Sequence, residues 1–498
     1  MPAPKGKDCM SEFQFNPADL VKSIPLMMLL ATGLILMISD AIKVRTLLPW
    51  LTALGLIFSI ALAIPMDGSF LGEDYAFNGT LATGGLASYI HIFMCLTGLM
   101  TLFFVKQFFD KHHTDIGEVY ALIVFAICGM VMLANANDLI VVFIGLETMS
   151  VCLYILAGLF KKDIKSNESG MKYFLLGAFA TGFLLYGMAM IYGVTGTTNF
   201  SKMDFSLLEA SPMFYPSIVL VLIGFLFKVA AFPFHSWTPD VYQGTPTPLA
   251  GFMATGAKSA AFIAFGIFIQ KVVGYENTRI INVLLVIAVI TMIYGNFMAV
   301  RQTNFKRLLA YSSIAHTGYV MLGLCAGKDG FLAVMFYMFI YSIMNIGAFG
   351  MIGMVEETHE DTEISSWKGI GTRLPWFSVG MSVFLFSLAG IPPLAGFMSK
   401  YMIFITAIEA GLVIPAILGI LTSVAGAYYY LNVMVSMYFH KAGDHAAGAG
   451  KSDINWQPGL VLGALLLLIL ILGIYPSALF NYLESLYNAA GFMSVAGK

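Results

Sequence analysis

Runs of about 20 apolar residues, each long enough to cross a bilayer core, recur along the whole 498-residue chain and leave no soluble domain of useful size. Read between charged or Gly/Pro-rich breaks, they give about fourteen spans. These lie near 20–40, 47–65, 86–108, 115–134, 138–160, 170–192, 213–234, 247–270, 278–300, 306–326, 330–353, 376–409, 411–440 and 458–479. The twelfth is long and interrupted at "GIPPLAG". The chain is 59% hydrophobic and only 11% charged, against roughly 25% charged residues in soluble proteins. The expected fold class is an all-α, polytopic integral membrane protein.

Lysine and arginine bias between alternate loops orients such a chain. One set of loops holds 14 of the 26 cations, including Lys161, Lys162, Arg301, Lys306 and Arg307; the other set, with both termini, holds 8. The first set is expected on the cytoplasmic side and both ends on the other. The tail through Asp19 lacks a short apolar segment ending in a small-residue cleavage site, so no cleaved signal peptide is expected. No basic patch suggests nucleic acid.

Four cations remain. Lys172, at a helix start, is expected to snorkel to the interface. Lys228, Lys258 and Lys400 stand in apolar surroundings, as does the acid Glu147. An ionisable group at membrane depth costs about 2.5–3.5 kcal/mol, so these four are expected to face a wet interior and carry protons. A lysine whose carboxylate partner approaches and withdraws can load and release a proton, the chemistry expected of Lys228 with Glu147. His235 and Asp240, at the cytoplasmic end of span 7, and His316, inside span 10, are weaker candidates. For His235 and Asp240, proton uptake competes with loop ordering; for His316, it competes with plain packing.

The strings "FLFKVAAFP" at 225–233 and "FLFSLAGIP" at 384–392 share F-L-F-x-x-A-x-x-P at an offset of 159 residues, on spans 7 and 12. Five spans separate them, so the chain runs through them in opposite directions. That predicts two inverted five-helix repeats, spans 4–8 and 9–13, with a polar site near the midplane where Pro233, Pro392 and Pro393 break helices. The implied divisions are a tail at 1–19, three helices at 20–108, repeat units at 115–270 and 278–440, and a last helix at 458–479.

Other chemistry is excluded. Cys9, Cys95, Cys128, Cys152 and Cys325 show no CxxC or Cys/His spacing, which argues against iron–sulfur or zinc sites. "GFMATGAKS" at 251–259 lacks the Gly-Lys-Ser/Thr of a phosphate-binding loop, and "GIG" at 369–371 is no dinucleotide fingerprint. No cofactor is expected on this chain.

"FLFKVAAFPFHSWTPDVYQGTPTPLAGFMATGAKSAAF" and "QTNFKRLLAYSSIAHTGYVMLGL" closely resemble the antiporter-like N-type subunits of proton-pumping NADH:quinone oxidoreductase, respiratory complex I. The resemblance covers nearly the whole chain, and Trp237-Thr238-Pro239-Asp240 distinguishes it from the L and M types and from the multisubunit antiporters. It implies that Glu147 tunes Lys228, that protons pass along a hydrated axis through Lys258, and that Lys400 is the terminal donor or acceptor. It implies a bacterial cytoplasmic membrane and M- and K-type subunits as neighbours. NADH, FMN, iron–sulfur clusters and quinone are then expected on partner chains. The alternatives are an Mrp-like cation/proton antiporter subunit, a ferredoxin- or F420-linked relative, or a purely structural membrane subunit.

Overall fold

The computed structural model describes residues 17–64, 73–112, 116–359, 362–440 and 455–489. The N-terminal tail with Cys9 lies almost wholly outside them. Eleven of the described helices are long and apolar enough to cross a membrane. Three further expected spans are occupied by shorter apolar helices, Glu118–Ala134, Phe214–Lys228 and Pro375–Ala389.

The helices form a core and a ring. Thr247–Val273 and Phe305–Cys325 are buried along their full apolar windows, and Gly327–Glu356 over 94% of its window. Ile24–Ala41 and Val413–Phe439 are only 28% buried and turn residues such as Ile38 and Val424 outward. Between apolar helices in lipid, close packing replaces the hydrophobic effect as the force for association. Glycines provide it: a Cβ on Gly129 would lie 2.3 Å from the Met149 nitrogen, and one on Gly295 would lie 2.4 Å from the Ala315 nitrogen.

Both predicted breaks are present. Phe214–Lys228 stops and the chain resumes as Trp237–Gly244; Pro375–Ala389 stops and resumes as Ala395–Glu409. The two stops share one hydrogen-bond pattern, a Schellman closure. Ala231 N–H bonds Leu226 O and Ala230 N–H bonds Phe227 O; Ile391 N–H bonds Phe386 O and Gly390 N–H bonds Ser387 O. The left-handed position is filled by Gly390 in one copy and by Ala230 (φ 60°), at a steric cost, in the other.

A second pattern also recurs. Asp138 caps Leu139–Ala157 and Asn304 caps Phe305–Cys325. Leu139 N–H bonds Thr198 O and Phe200 N–H bonds Asn137 O, matched by Phe305 N–H to Thr362 O and Ile364 N–H to Thr303 O.

Several expectations need correction. The closures and the prolines align at 160 residues, not 159, because the F-L-F letters slide by one. Pro233 therefore pairs with Pro393 rather than Pro392. The stretch before span 3 forms a hairpin, Glu73–Ala76 with Leu81–Gly84. The last span ends at Ile474, and an amphipathic helix, Ser477–Ala489, folds back so that Tyr487 bonds Gln270. Lys172, its side chain 40% exposed, pairs with Glu168 and Asp240. Lys306, counted with the loop cations, is buried.

Candidate functional site

Lys228 ends its half-helix, and its ammonium is held among the rings of Tyr154, Tyr173 and Phe227, 4.9–5.7 Å from their centroids. Its one hydrogen-bond partner among the described residues is the Tyr154 hydroxyl at 3.1 Å. Cation–π attraction and one hydroxyl thus replace the water that an ammonium would otherwise keep. Glu147 lies two helical turns from Tyr154 on the same face, at i and i+7. It acts electrostatically on both Tyr154 and Lys228, but no ion pair within 4.0 Å joins it to the lysine. One carboxylate oxygen of Glu147 is buried without a hydrogen-bond partner among the described residues.

Lys258 follows a π-helical turn, Met253–Ala257, inside a helix that is otherwise α-helical at this depth. Its ammonium donates to Ser313 Oγ at 2.5 Å and to Ser313 O at 3.0 Å. Thr317 lies 3.1 Å from the same carbonyl and donates to Val229 O at 2.6 Å, beside Lys228. His316, on the next face, contacts the hydroxyls of Tyr337 at 2.5 Å and Tyr430 at 3.2 Å, and Tyr430 also contacts Ser312. The charges of Lys258 and Lys400 both act on His316, so it lies within electrostatic reach of each.

Lys400 lies beyond the second break and reaches back across it. Its ammonium bonds the carbonyls of Leu388 and Ala389 at 2.9 and 3.1 Å, and Ser423 Oγ at 2.9 Å. Those carbonyls are the unpaired end of the half-helix, its negative pole, so the break creates the lysine's seat. Tyr319 lies 5.5 Å away, bonded through Asn296 to Tyr429. A cavity of about 460 Å³, lined by Gly390, Phe397, Tyr401, Phe404 and Val424, opens beside this ammonium.

The weaker candidates separate. Asp240, in the short helix Trp237–Gly244, is held by Lys172 at 2.5 Å and by Arg307 at 2.7 Å. His235 lies in the first break, packed on Phe232 and Tyr294, and among the described residues its buried Nδ1 has no partner and it joins none of the lysine networks. Sequence reading missed Tyr154, Ser313, Thr317, Tyr319 and Tyr430. A usable signal was the run "AYSSIAHTGY" inside an apolar span, where six polar side chains fall within nine residues.

Comparison with known proteins gives a consistent likeness. Residues 136–426 match the family described as NADH:quinone oxidoreductase/Mrp antiporter, transmembrane. NADH-quinone oxidoreductase subunit N of Salinibacter ruber is 43% identical over 450 residues, covering 88% of this chain and 89% of that protein. A chain of respiratory complex I from Thermus thermophilus is 31% identical with a TM-score of 0.78, covering 93% of this chain and 99% of that one. A chain of the Mrp complex from Dietzia shares the fold at 20% identity and a TM-score of 0.81, covering 94% and 97%.

Proposed function

The chain belongs to the family of membrane subunits shared by NADH:quinone oxidoreductases and Mrp antiporters, and from that premise we propose that it works as the antiporter-like N-type subunit of a respiratory complex I. In this reading it moves protons across the bacterial cytoplasmic membrane, driven by quinone reduction on other chains. NADH, FMN, iron–sulfur clusters and quinone belong to those chains, and M- and K-type subunits are its neighbours. The cation-rich face is cytoplasmic and the termini lie opposite. Residues 115–270 and 278–440 are the two inverted units, a division supported by the recurring caps and closures.

The observation that carries the proposal is the buried polar series linking three lysines. It runs from Tyr154 and Lys228 past Thr317 and Ser313 to Lys258, then past His316 and Tyr430 towards Tyr319 and Lys400. Each lysine has hydrogen-bond acceptors but, among the described residues, no carboxylate within 4.0 Å. An amine so placed can alternate between charged and neutral states without leaving a carboxylate stranded. Glu147 acts on Lys228 through space, Lys258 is the central relay, and Lys400 is the terminal site.

The test is the proton-to-quinone ratio of the assembled complex in sealed vesicles, with Lys258→Met compared with the parent. A fall in the ratio in a complex that still reduces quinone is expected. A parental ratio would leave the lysines with a structural role only. Quinone reductase activity that failed to co-purify with the tagged chain in mild detergent would favour a gradient-driven antiporter.

A further inference from the structure

Lys306 is a second kind of buried lysine. Its side chain is 4% exposed, its ammonium donates to Thr245 O at 2.8 Å, and Glu356 lies 3.7 Å away with a side chain 20% exposed. The Thr247 hydroxyl donates to the other oxygen of Glu356. The remaining charges that act on Lys306 are Asp163 and Lys165. The cluster sits at the cation-rich end of the three core helices, with Glu356 outermost.

The three helices point this cluster at Lys258. From Lys306 to Ser313, the acceptor of Lys258, is seven residues, two turns and roughly 10 Å of rise on one face. From Glu356 back to Asn345 is eleven residues, three turns on one face, and Thr247 and Lys258 stand eleven residues apart on the first core helix, across its π-helical turn. Between the two ends lie buried oxygens without hydrogen-bond partners among the described residues: the hydroxyls of Tyr242 and Tyr341 and the amide oxygen of Asn345. Tyr242 and Tyr341 both approach Ser313 without closing a bond. Buried polar atoms are normally partnered, and a cluster that is not calls for water.

Resting on the proton-carrying role proposed for Lys258, we infer that Glu356 and Lys306 form the input that loads Lys258 from the cation-rich face. Glu356 takes a proton from the aqueous surface and passes it to the neutral Lys306 amine, giving carboxylate and ammonium. Lys306 then releases that proton through water beside Tyr242, Tyr341 and Asn345 to the neutral Lys258 amine and returns to neutral itself. A buried pair kept only for stability would be a poor investment, since desolvating two charges offsets most of their attraction. A loose pair with one member at the surface suits transfer.

The experiment uses the assembled complex in sealed vesicles and reads protons moved per quinone reduced in Lys306→Arg, Lys258→Met and the double variant. Arginine keeps the cation and its bond to Thr245 O but does not release a proton. The ratio is expected to fall in Lys306→Arg as far as in Lys258→Met, and no further in the double variant. A parental ratio in Lys306→Arg, with Lys258→Met impaired, would overturn the input and leave Lys306 a structural cation. A parental ratio in Lys258→Met overturns the central relay itself, and the input with it. If Lys306→Arg does not assemble, the near-isosteric Glu356→Gln decides by the same ratio: a fall supports the input, and a parental ratio overturns it.

Discussion

Deleting one oxygen tests how Lys228 holds its proton. In Tyr154→Phe the ring stays, still edge-on to Tyr173 at 4.7 Å and still about 5 Å below the ammonium. Only the hydroxyl at 3.1 Å is lost. A hydrogen bond to a charged group contributes about 1.5–3 kcal/mol, and the ring's attraction, about 0.5–2 kcal/mol, survives. The charged form of Lys228 should lose roughly 10- to 150-fold in population relative to the neutral form, at about 1.4 kcal/mol per tenfold. Reconstituted complex, with NADH oxidation and an acid-sensitive dye followed together, should show continuing electron transfer with slowed proton uptake, Lys228→Met setting the floor. Gly177→Ala should behave similarly, because its Cβ would lie 2.0 Å from the same hydroxyl. A Tyr154→Phe complex that pumped at the parental rate would refute the hydroxyl's role and leave the aromatic cage as the whole of the site.

Two further outcomes follow from the packing and the surface. Gly145→Ala sets a Cβ 2.5 Å from the Leu133 nitrogen, whereas Gly182→Ala and Gly193→Ala meet nothing within 4 Å. Overpacking costs about 1–3 kcal/mol, so the first should lower the amount of subunit in membranes by immunoblot and the other two should not. Lys22 bonds Asp74 at 2.7 Å and holds its carboxyl below the usual range. A lowered pKa stabilises above the unfolded value, about 4, and that contribution is lost as pH falls through the lowered one. With Asp74 61% exposed, the gain is within about 1 kcal/mol. The protection of the 73–84 hairpin amides, taken relative to the intrinsic exchange rate at each pH, should fall in acid in the parent and lose that step in Lys22→Met.

The sequence made the membrane fold, the three buried lysines and the half-buried Glu147 legible because each breaks a composition rule: too few charges overall, then charges where none belong. The tyrosines broke no rule. Tyr154 and Tyr430 are ordinary membrane residues until a lysine or histidine is found against them. The hairpin carried a signal that went unused, Asn78-Gly79 between "EDYA" and "LATG", the dipeptide that supplies the positive φ of a tight turn. Residues Phe77, Asn78 and Gly79 all adopt it. Lys306 was misplaced because a charge next to a predicted loop reads as solvated, and only the packing of Thr245 and Glu356 around it reveals otherwise.

The repeat register explains why the two ends of the lysine series differ chemically. At an offset of 160 residues, Lys228 corresponds to Leu388 and Lys400 to Asp240. One copy places its lysine before the break, in the last turn of the half-helix, and the other places it after. Lys228 consequently turns away from its own helix end towards a side-chain hydroxyl, while Lys400 reaches back onto two backbone carbonyls that cannot rotate out of the way. The position equivalent to Lys400 in the first copy is Asp240, which the cations Lys172 and Arg307 immobilise. The ammonium at one end has an adjustable hydroxyl acceptor, and the ammonium at the other has the fixed dipole of a helix end. Two ends so unlike break the symmetry that a strict duplication would have kept.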